Sequence, residues 1–570
     1  MKKTYKIFKE SVKEVTGYYM LLVEETRDER LVGSTNEWVL DNYYMISEQE
    51  KVMKAELKGV EKGKWKVESK RVEVLWKLME GYLRKCHHQV DKALFFRYLS
   101  QVQVSQKDYL TYPEVCALLP LTKAILISEL ASLCHELKEQ KSYLYNPTDM
   151  KMAEMEHLNA AAKQNLMMMN IFSSLKKLTK LPLAELIDAV SFSEKSLKSE
   201  KAGMYDEMQD KTKDDYRIKI VRLSHKQKRG EYELVKSLVA QADKKGEHIG
   251  WDLFPPKQWN IRAHWYIWIV ATISLSLACL FAHLAVKSYT GNNISQLWWL
   301  VLLLTGFMAV PMSQVVIDLF SQLLYRLHKP VDTFKLKFKD GLIPKEYATM
   351  IIMPTILKNK EKTIELLEQL EVYYLSNINR GNGRNGFNGA NGQNLYYTLI
   401  GDAASYREVN APWDQEVVDA GLAKIKELNE RYGAPIFNFV YRRRAWSEGE
   451  QTWLGHERKR GAILHFNDLL LGTTSEEDKS KRFRHETISH WREGAVPDIQ
   501  FIITLDTDTE LVLYSAQKLI GAMAHPLNRA QLSPDGRRVD RGYGIMQPRV
   551  NVDVEVTNKS RYAQLFAGLG

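Results

Sequence analysis

Cysteine is scarce: the 570 residues hold four, Cys86, Cys116, Cys134 and Cys279. They are spread without a C-x-x-C pair, so neither a zinc knuckle nor a disulfide framework can be read, and a reducing compartment fits best. Proline and glycine are modest, at 16 and 31, which excludes a collagenous chain. A hydrophobic share of 45% excludes a wholly disordered one. The basic start, Met1 to Glu10, lacks an apolar h-region and a small-residue cleavage site, so no secretory signal peptide is expected. Charge of neither sign is short: 80 Lys and Arg against 70 Asp and Glu leave +10. That excess favours phosphates, nucleic acid or the inner membrane leaflet without choosing among them. At roughly 150 residues per domain, the length allows about three or four structural units.

From about Ser11 to Glu247 the chain is rich in Lys, Glu, Leu and Met. Apolar residues recur at three-to-four spacing, as in Val72 to Leu83 and Leu121 to Leu137. This predicts a helical domain over 1–255, with Pro113, Pro120, Pro147 and Pro182 at helix starts or turns between helices. The aromatic cluster Trp38, Tyr43 and Tyr44 reads as packed helix core rather than as a binding face.

Two almost uncharged apolar runs follow, Trp265 to Val286 and Leu297 to Leu319. Each is long enough to cross a hydrocarbon core of about 30 Å. Trp265, Tyr266 and Trp268 open the first and Trp298 and Trp299 the second, as an interfacial aromatic belt would place them. The expectation is a two-helix transmembrane hairpin over 262–327, with spans at about 265–286 and 297–319. Lys257 and Arg262 flank it on one side and Arg326, Lys329, Lys335, Lys337 and Lys339 on the other, against one Lys in the loop Lys287 to Asn293. Both large domains should therefore face the cytoplasm. Pro311 is expected to kink the second span, and Asp318 to sit at the interface.

Beyond the apolar runs, strand and helix alternate: Thr349 to Met353 then Lys360 to Asn377, Leu395 to Ile400 then Asp414 to Arg431. Ile436 to Tyr441 then Arg458 to Leu471, and Gln500 to Leu505 then Leu511 to Met523, complete the series. This predicts a parallel sheet with crossover helices, whose ligands bind beyond the carboxyl ends of the strands. The run Asn379 to Asn394, with Asn at every third residue, has collagen's period but no proline, and reads as a flexible inserted loop.

The sharpest chemistry is FIITLDTDTE, Phe501 to Glu510. An apolar strand ending in Asp-x-Asp places Asp506 and Asp508 two residues apart at a strand's carboxyl end, where both can face one ligand. Two close acids repel unless a cation lies between them, and hard oxygen ligands suit Mg²⁺ or Mn²⁺ holding a diphosphate. The same dipeptide spacing also occurs as a plain helix cap. Pro354 and Thr355 follow the first strand and Asp402 the second, while Glu457 to Gly461 opens the helix beyond the third. Lys459 or Arg460 near a helix start could contact a pyrophosphate, and Asp402 a ribose or base; an ordinary solvated basic turn is the alternative for the pair.

Thr504 to Val550 resembles the glycosyltransferase domain of cyclic β-1,2-glucan synthases, glycosyltransferase family 84. Met353 to Asn377, Leu399 to Ala403, Phe437 to Ile463, Glu37 to Gln49 and Ala202 to Arg217 are similar to the same family. The resemblance implies an α + α/β chain: a helical N-terminal domain, the transmembrane hairpin, and a GT-A domain over 345–570 carrying the insertion 379–394. It implies a hexosyltransferase of the bacterial inner membrane, multi-pass, that takes glucose from UDP-glucose and inverts it into β-1,2-glucan. On matching positions, Asp506 and Asp508 would bind Mg²⁺ or Mn²⁺. Pro354, Thr355, Asp402, Lys459 and Arg460 would lie near the donor, with Asp402 at the uridine. The implied partners are UDP-glucose, the growing glucan and a lipid bilayer, not nucleic acid.

Members of that family run well past a thousand residues, so the resemblance implies a GT-A domain incomplete at Gly570 and a downstream polypeptide supplying the rest. The general base of related transferases would fall after that point, and Asp535 and Asp540 read as loop residues rather than as the base. Two other readings remain open: another processive polysaccharide synthase, or an inactive truncated membrane scaffold.

Overall fold

The computed structural model describes residues 2–28, 34–62, 67–143, 150–255, 263–290, 298–327, 332–378, 394–487 and 498–548. Pro147, Lys257, Arg262, Lys329, most of the loop between the apolar runs, the Asn/Gly run through residue 393 and residues 549–570 lie outside them. The chain is mostly helical and divides into two compact units, Met1–Leu253 and Phe254–Gly570.

The first unit is built from α1 (Lys2–Arg27), α2 (Ser34–Lys62), α3 (Ser69–Lys85), α4 (Lys92–Gln106), α5 (Tyr112–Tyr143) and α6 (Met150–Lys180). The shorter α7 (Leu183–Val190), α8 (Phe192–Lys198), α9 (Asp210–Gln227), α10 (Glu231–Lys245) and α11 (Gly250–Leu253) complete it. α5 is its axis, packed against α1, α2, α3, α6 and α7. A helix apolar on all sides must be buried on all sides, and α5 is so from Tyr112 to Ile127. Pro120 sits inside α5 rather than at the expected boundary. Packing around α5 outweighs the lost backbone bond, whereas Pro182 does stand at a helix start, as the N-cap of α7. Tyr43 stacks on Tyr19 at 3.9 Å in the helix core, but Tyr44 is exposed, so only part of the aromatic cluster is packed.

A buried polar knot ties these helices. Arg217 grips Glu194 with two nitrogens at 2.6 and 3.0 Å, and the hydroxyls of Tyr112 and Tyr205 donate to the same carboxylate. Nearby, Glu231 accepts from Tyr112 N at 2.8 Å. Burial pushes its carboxyl up to about 7; the Tyr112 N–H opposes this and Glu114 reinforces it. The folded chain therefore keeps a proton that the unfolded chain releases near the ordinary carboxylate value. Stability falls as pH rises from about 4.5 to about 7. Glu231→Gln, which can still accept from Tyr112 N, is expected to flatten that slope. The measurement is hydrogen-exchange protection of α10 amides in the full chain at pH 5 and pH 8.

The second unit begins with α12 (Ala263–Thr290) and α13 (Trp298–Leu327), which pack along each other. Three helices among the described residues are long and apolar enough to cross a membrane. The apolar stretch of α5 is 83% buried, those of α12 and α13 only 28% and 11%. The composition of α5 is thus spent on a protein core, and that of α12 and α13 faces outward. α13 runs on through Pro311, and Asp318 accepts from Gln314 one turn earlier at 3.0 Å. Phe254 before α12 and Phe334 after α13 pack ring to ring at 4.8 Å, so both ends of the helix pair meet at one base.

The sheet follows. β1 (Thr349–Leu357), β2 (Leu395–Ala403), β3 (Phe437–Arg442), β6 (Phe483–Glu486) and β7 (Phe501–Thr504) form it in the order β6-β3-β2-β1-β7. β1, β2, β3 and β7 are parallel and β6 is an antiparallel edge, so the sheet is mixed and mostly parallel, as expected. Between them lie α14 (Lys360–Asn377), α15 (Asp414–Tyr432), the hairpin β4 (Ala445–Ser447) and β5 (Thr452–Leu454), α16 (Arg458–Leu471) and α17 (Glu476–Arg482). After β7 come α18 (Ser515–Ala524) and the small hairpin β8 (Gln531–Leu532) and β9 (Val539–Arg541). Met350, Ile352, Ile400 and Val440 pack one sheet face against Ala462, Phe466 and Leu469 of α16. On the other face, Tyr397 and Phe437 meet Tyr374 of α14 edge-to-face. Strand alternation thus feeds helices on both faces.

Candidate functional site

Parallel strands end at one edge of a sheet, and helices that switch faces open a crevice there. β1, α14, β2, α15 and β3 step across the sheet in one direction, whereas β7 lies on the other side of β1. The strand order therefore reverses between β1 and β7. Asp506 and Asp508 leave the carboxyl end of β7 at this point, both exposed. Lys459, in the first turn of α16, reaches across and pairs with Asp506. Two segments 47 residues apart are joined at the reversal.

β7, although apolar in sequence, is a half-exposed edge strand among the described residues. It pairs only with β1 there, and only as far as Ile352, whose carbonyl accepts from Leu505 N at 2.9 Å. β1 continues four residues past the expected end at Met353, so Pro354 and Thr355 lie inside the strand. Pro354 is tolerated there because even-numbered residues of β1 turn their backbone towards β7, which has already left the ladder. Asp402 likewise lies within β2, opposite Arg442 of β3.

Asp402 is 3% exposed, and neither carboxylate oxygen accepts a hydrogen bond among the described residues. The nearest cation is Arg442 Nε at 3.7 Å. Burial pushes the Asp402 carboxyl up to about 6, against the pull of Arg442, Arg458 and Arg444. The backbone of Gly455 covers the carboxylate so closely that a Cβ there would collide with Asp402 Oδ2. Only glycine permits that approach.

The arginines of β3 and its continuation alternate as a strand requires. Arg442 and Arg444 are buried and Arg443 is exposed. Arg442 donates to the carbonyls of His456 at 2.8 Å and Arg458 at 3.1 Å, holding the turn into α16. Glu457 and Arg458 both adopt left-handed backbone, φ 53° and 51°. This conformation costs roughly 1–2 kcal/mol per residue, and such strain gathers at functional sites. It places Lys459 at the head of α16. Arg460, by contrast, points its charge into solvent and pairs with Glu457 at 3.2 Å. Arg442 and Arg444 were not singled out from the sequence; the signal was three consecutive arginines at the end of an apolar strand.

Asp535 accepts from Ser533 and Arg537 within the β8–β9 turn, and Asp540 from Arg538 at 2.9 Å. Among the described residues no three His, Cys, Asp or Glu side chains converge as a metal cage. Two exposed carboxylates at a strand end nonetheless suit a hard cation whose remaining ligands are phosphate oxygens and water.

Helices on both faces of a mostly parallel sheet, with Lys459 paired to Asp506 where strand order reverses, make this an α/β unit of the open-sheet class. The chain is similar to the cyclic beta-(1,2)-glucan synthase NdvB of Rhizobium meliloti (strain 1021), 31% identical over 263 residues, 45% of this chain. That match spans 8% of the relative's length. No protein-family model matches the chain.

Proposed function

We propose that this chain is the donor-binding portion of a membrane-bound, inverting GT-A glucosyltransferase that uses UDP-glucose to build β-1,2-glucan. The observation that carries the reading is the Lys459–Asp506 contact at the strand-order reversal. It gathers a cation and the acidic pair where an open sheet takes its ligands. The similarity to a glucan synthase supplies the substrate class.

In this reading Asp402 receives the uridine once the Gly455 segment that covers it moves aside, and its oxygens, which accept no hydrogen bond among the described residues, then meet a base N–H. Lys459 neutralises Asp506 in the free chain and turns to the donor diphosphate when nucleotide enters. Pro354 and Thr355 border the donor on β1, and Arg460 adds positive potential at the rim. Asp506 and Asp508 would hold Mg²⁺ or Mn²⁺, which supplies Lewis-acid stabilisation of the departing diphosphate. α12 and α13 anchor the unit in a bacterial inner membrane, their outward apolar faces against lipid, with both large units on the cytoplasmic side.

The test is UDP binding by the full chain in lipid nanodiscs. Wild-type chain is expected to bind UDP, and Lys459→Met to bind about tenfold more weakly, the loss of about 1.4 kcal/mol. Stability should hardly change, because exposed ion pairs contribute at most about 1 kcal/mol. A wild-type chain indifferent to UDP would end the reading.

A further inference from the structure

The β4–β5 hairpin has no part in the donor site described above. Its two tryptophans stand directly opposite each other, Trp446 on β4 and Trp453 on β5, edge-to-face with ring centroids 5.8 Å apart. Trp446 is 47% exposed. An exposed indole on a short hairpin is the kind of apolar surface that asks for an occupant.

The hairpin is held along the outer edge of β5. Tyr406 N donates to Trp453 O at 2.9 Å, Trp453 N to Tyr406 O at 3.2 Å, and Thr452 Oγ1 to the same carbonyl at 3.0 Å. Its turn is polar. Glu448 and Glu450 are exposed, Gln451 Nε2 donates to Glu448 O at 2.7 Å, and Arg458 Nη2 lies 3.3 Å from Glu450. The result is a fixed aromatic pair on a hairpin whose turn carries carboxylate and amide groups, with a guanidinium paired to it. A pyranose ring suits such a surface: polarised C–H groups on the ring face meet the negative face of an indole, and hydroxyls find polar partners on the turn.

The position is informative as well. From Trp453 the chain runs directly through Gly455, which covers Asp402, to Lys459, which pairs with Asp506. We infer that the β4–β5 hairpin is the acceptor subsite, in which Trp446 stacks on a glucosyl unit of the growing gluco-oligosaccharide. The inference rests on the donor-site reading above. A lipid surface is the other occupant for an exposed tryptophan, but Glu448 and Glu450 in the turn oppose an anionic leaflet.

Saturation-transfer NMR and calorimetry with a β-1,2-linked gluco-oligosaccharide, on the full chain in nanodiscs, test this, with UDP binding measured in parallel. Wild-type chain should bind the saccharide, Trp446→Phe should stay within about threefold, and Trp446→Ala should lose at least about tenfold, with UDP binding kept in each. Saccharide binding by Trp446→Ala at wild-type affinity overturns the inference, as does a wild-type chain that binds UDP but no saccharide. Quenching of Trp446 by brominated lipid would assign the hairpin to the membrane instead. Loss of UDP binding in the wild-type chain would strike the donor-site reading and is distinguishable from each of these.

Discussion

Replacing Arg444 with alanine is expected to lower the melting temperature of the sheet-containing unit by about 6–12 °C. Arg444 donates to both oxygens of Asp414, at 2.5 and 3.0 Å, with both side chains almost fully buried. Its Nε also donates to Ala404 O at 2.5 Å, and Nη1 to Val409 O at 3.3 Å. Burial alone would raise the Asp414 carboxyl, but Arg444, Ala411 N and the Tyr441 hydroxyl hold it below its ordinary value. Removing one partner of a buried pair costs roughly 3–5 kcal/mol, because the other charge stays behind. Arg484, 3.5 Å from Asp414, offsets part of this, so about 3 kcal/mol is expected here. At about 2–4 °C per kcal/mol for a unit of this size, the stated shift follows. Arg444→Lys should lie between, since it keeps the charge but loses the planar fork. Scanning calorimetry with hydrogen exchange over residues 404–411 reads both effects. A shift below about 2 °C would show that Arg484 takes over the role.

Asp506→Ala should weaken Mn²⁺-dependent UDP binding on the order of 100-fold, about 2.7 kcal/mol. The carboxylate is exposed and its partner in the free chain is Lys459, so the substitution leaves the fold intact. Asp508→Ala should act in the same direction. The diagnostic is a reversal of sign. In EDTA the Asp506 variant should bind UDP at least as well as the parent, because a negative charge beside the diphosphate has been removed and Lys459 released. Calorimetric titrations with and without Mn²⁺ decide it. An equal loss in both conditions would mean that Asp506 touches the nucleotide without a metal.

Much of the architecture was legible locally. α14 and α16 have the bounds that periodicity alone predicts, Lys360–Asn377 and Arg458–Leu471, because each carries a clear apolar stripe between a start and a stop. For α14 the start is Asn359, whose side chain accepts from Lys362 N; for α16 the stop is Gly472, in left-handed backbone. The two outward-facing apolar helices were equally plain from length and composition. β6 was not read, being four residues of mixed polarity, FRHE, that become a strand only by pairing with β3. The three-residue strands of the tryptophan hairpin escaped for the same reason.

The sequence by itself determined the element types and the residue chemistry, since helix period, strand alternation and the acidic pair after FIIT depend on neighbours a few positions away. Tertiary structure alone decided which apolar helix is core and which faces outward: α5 meets the length and composition of a span yet is enclosed by its neighbours. It also decided that Lys459 meets Asp506, that Asp402 lies beneath Gly455, and that β7 is at the sheet's margin among the described residues. These outcomes depend on which distant segments pack together, and no local window of sequence contains that energy.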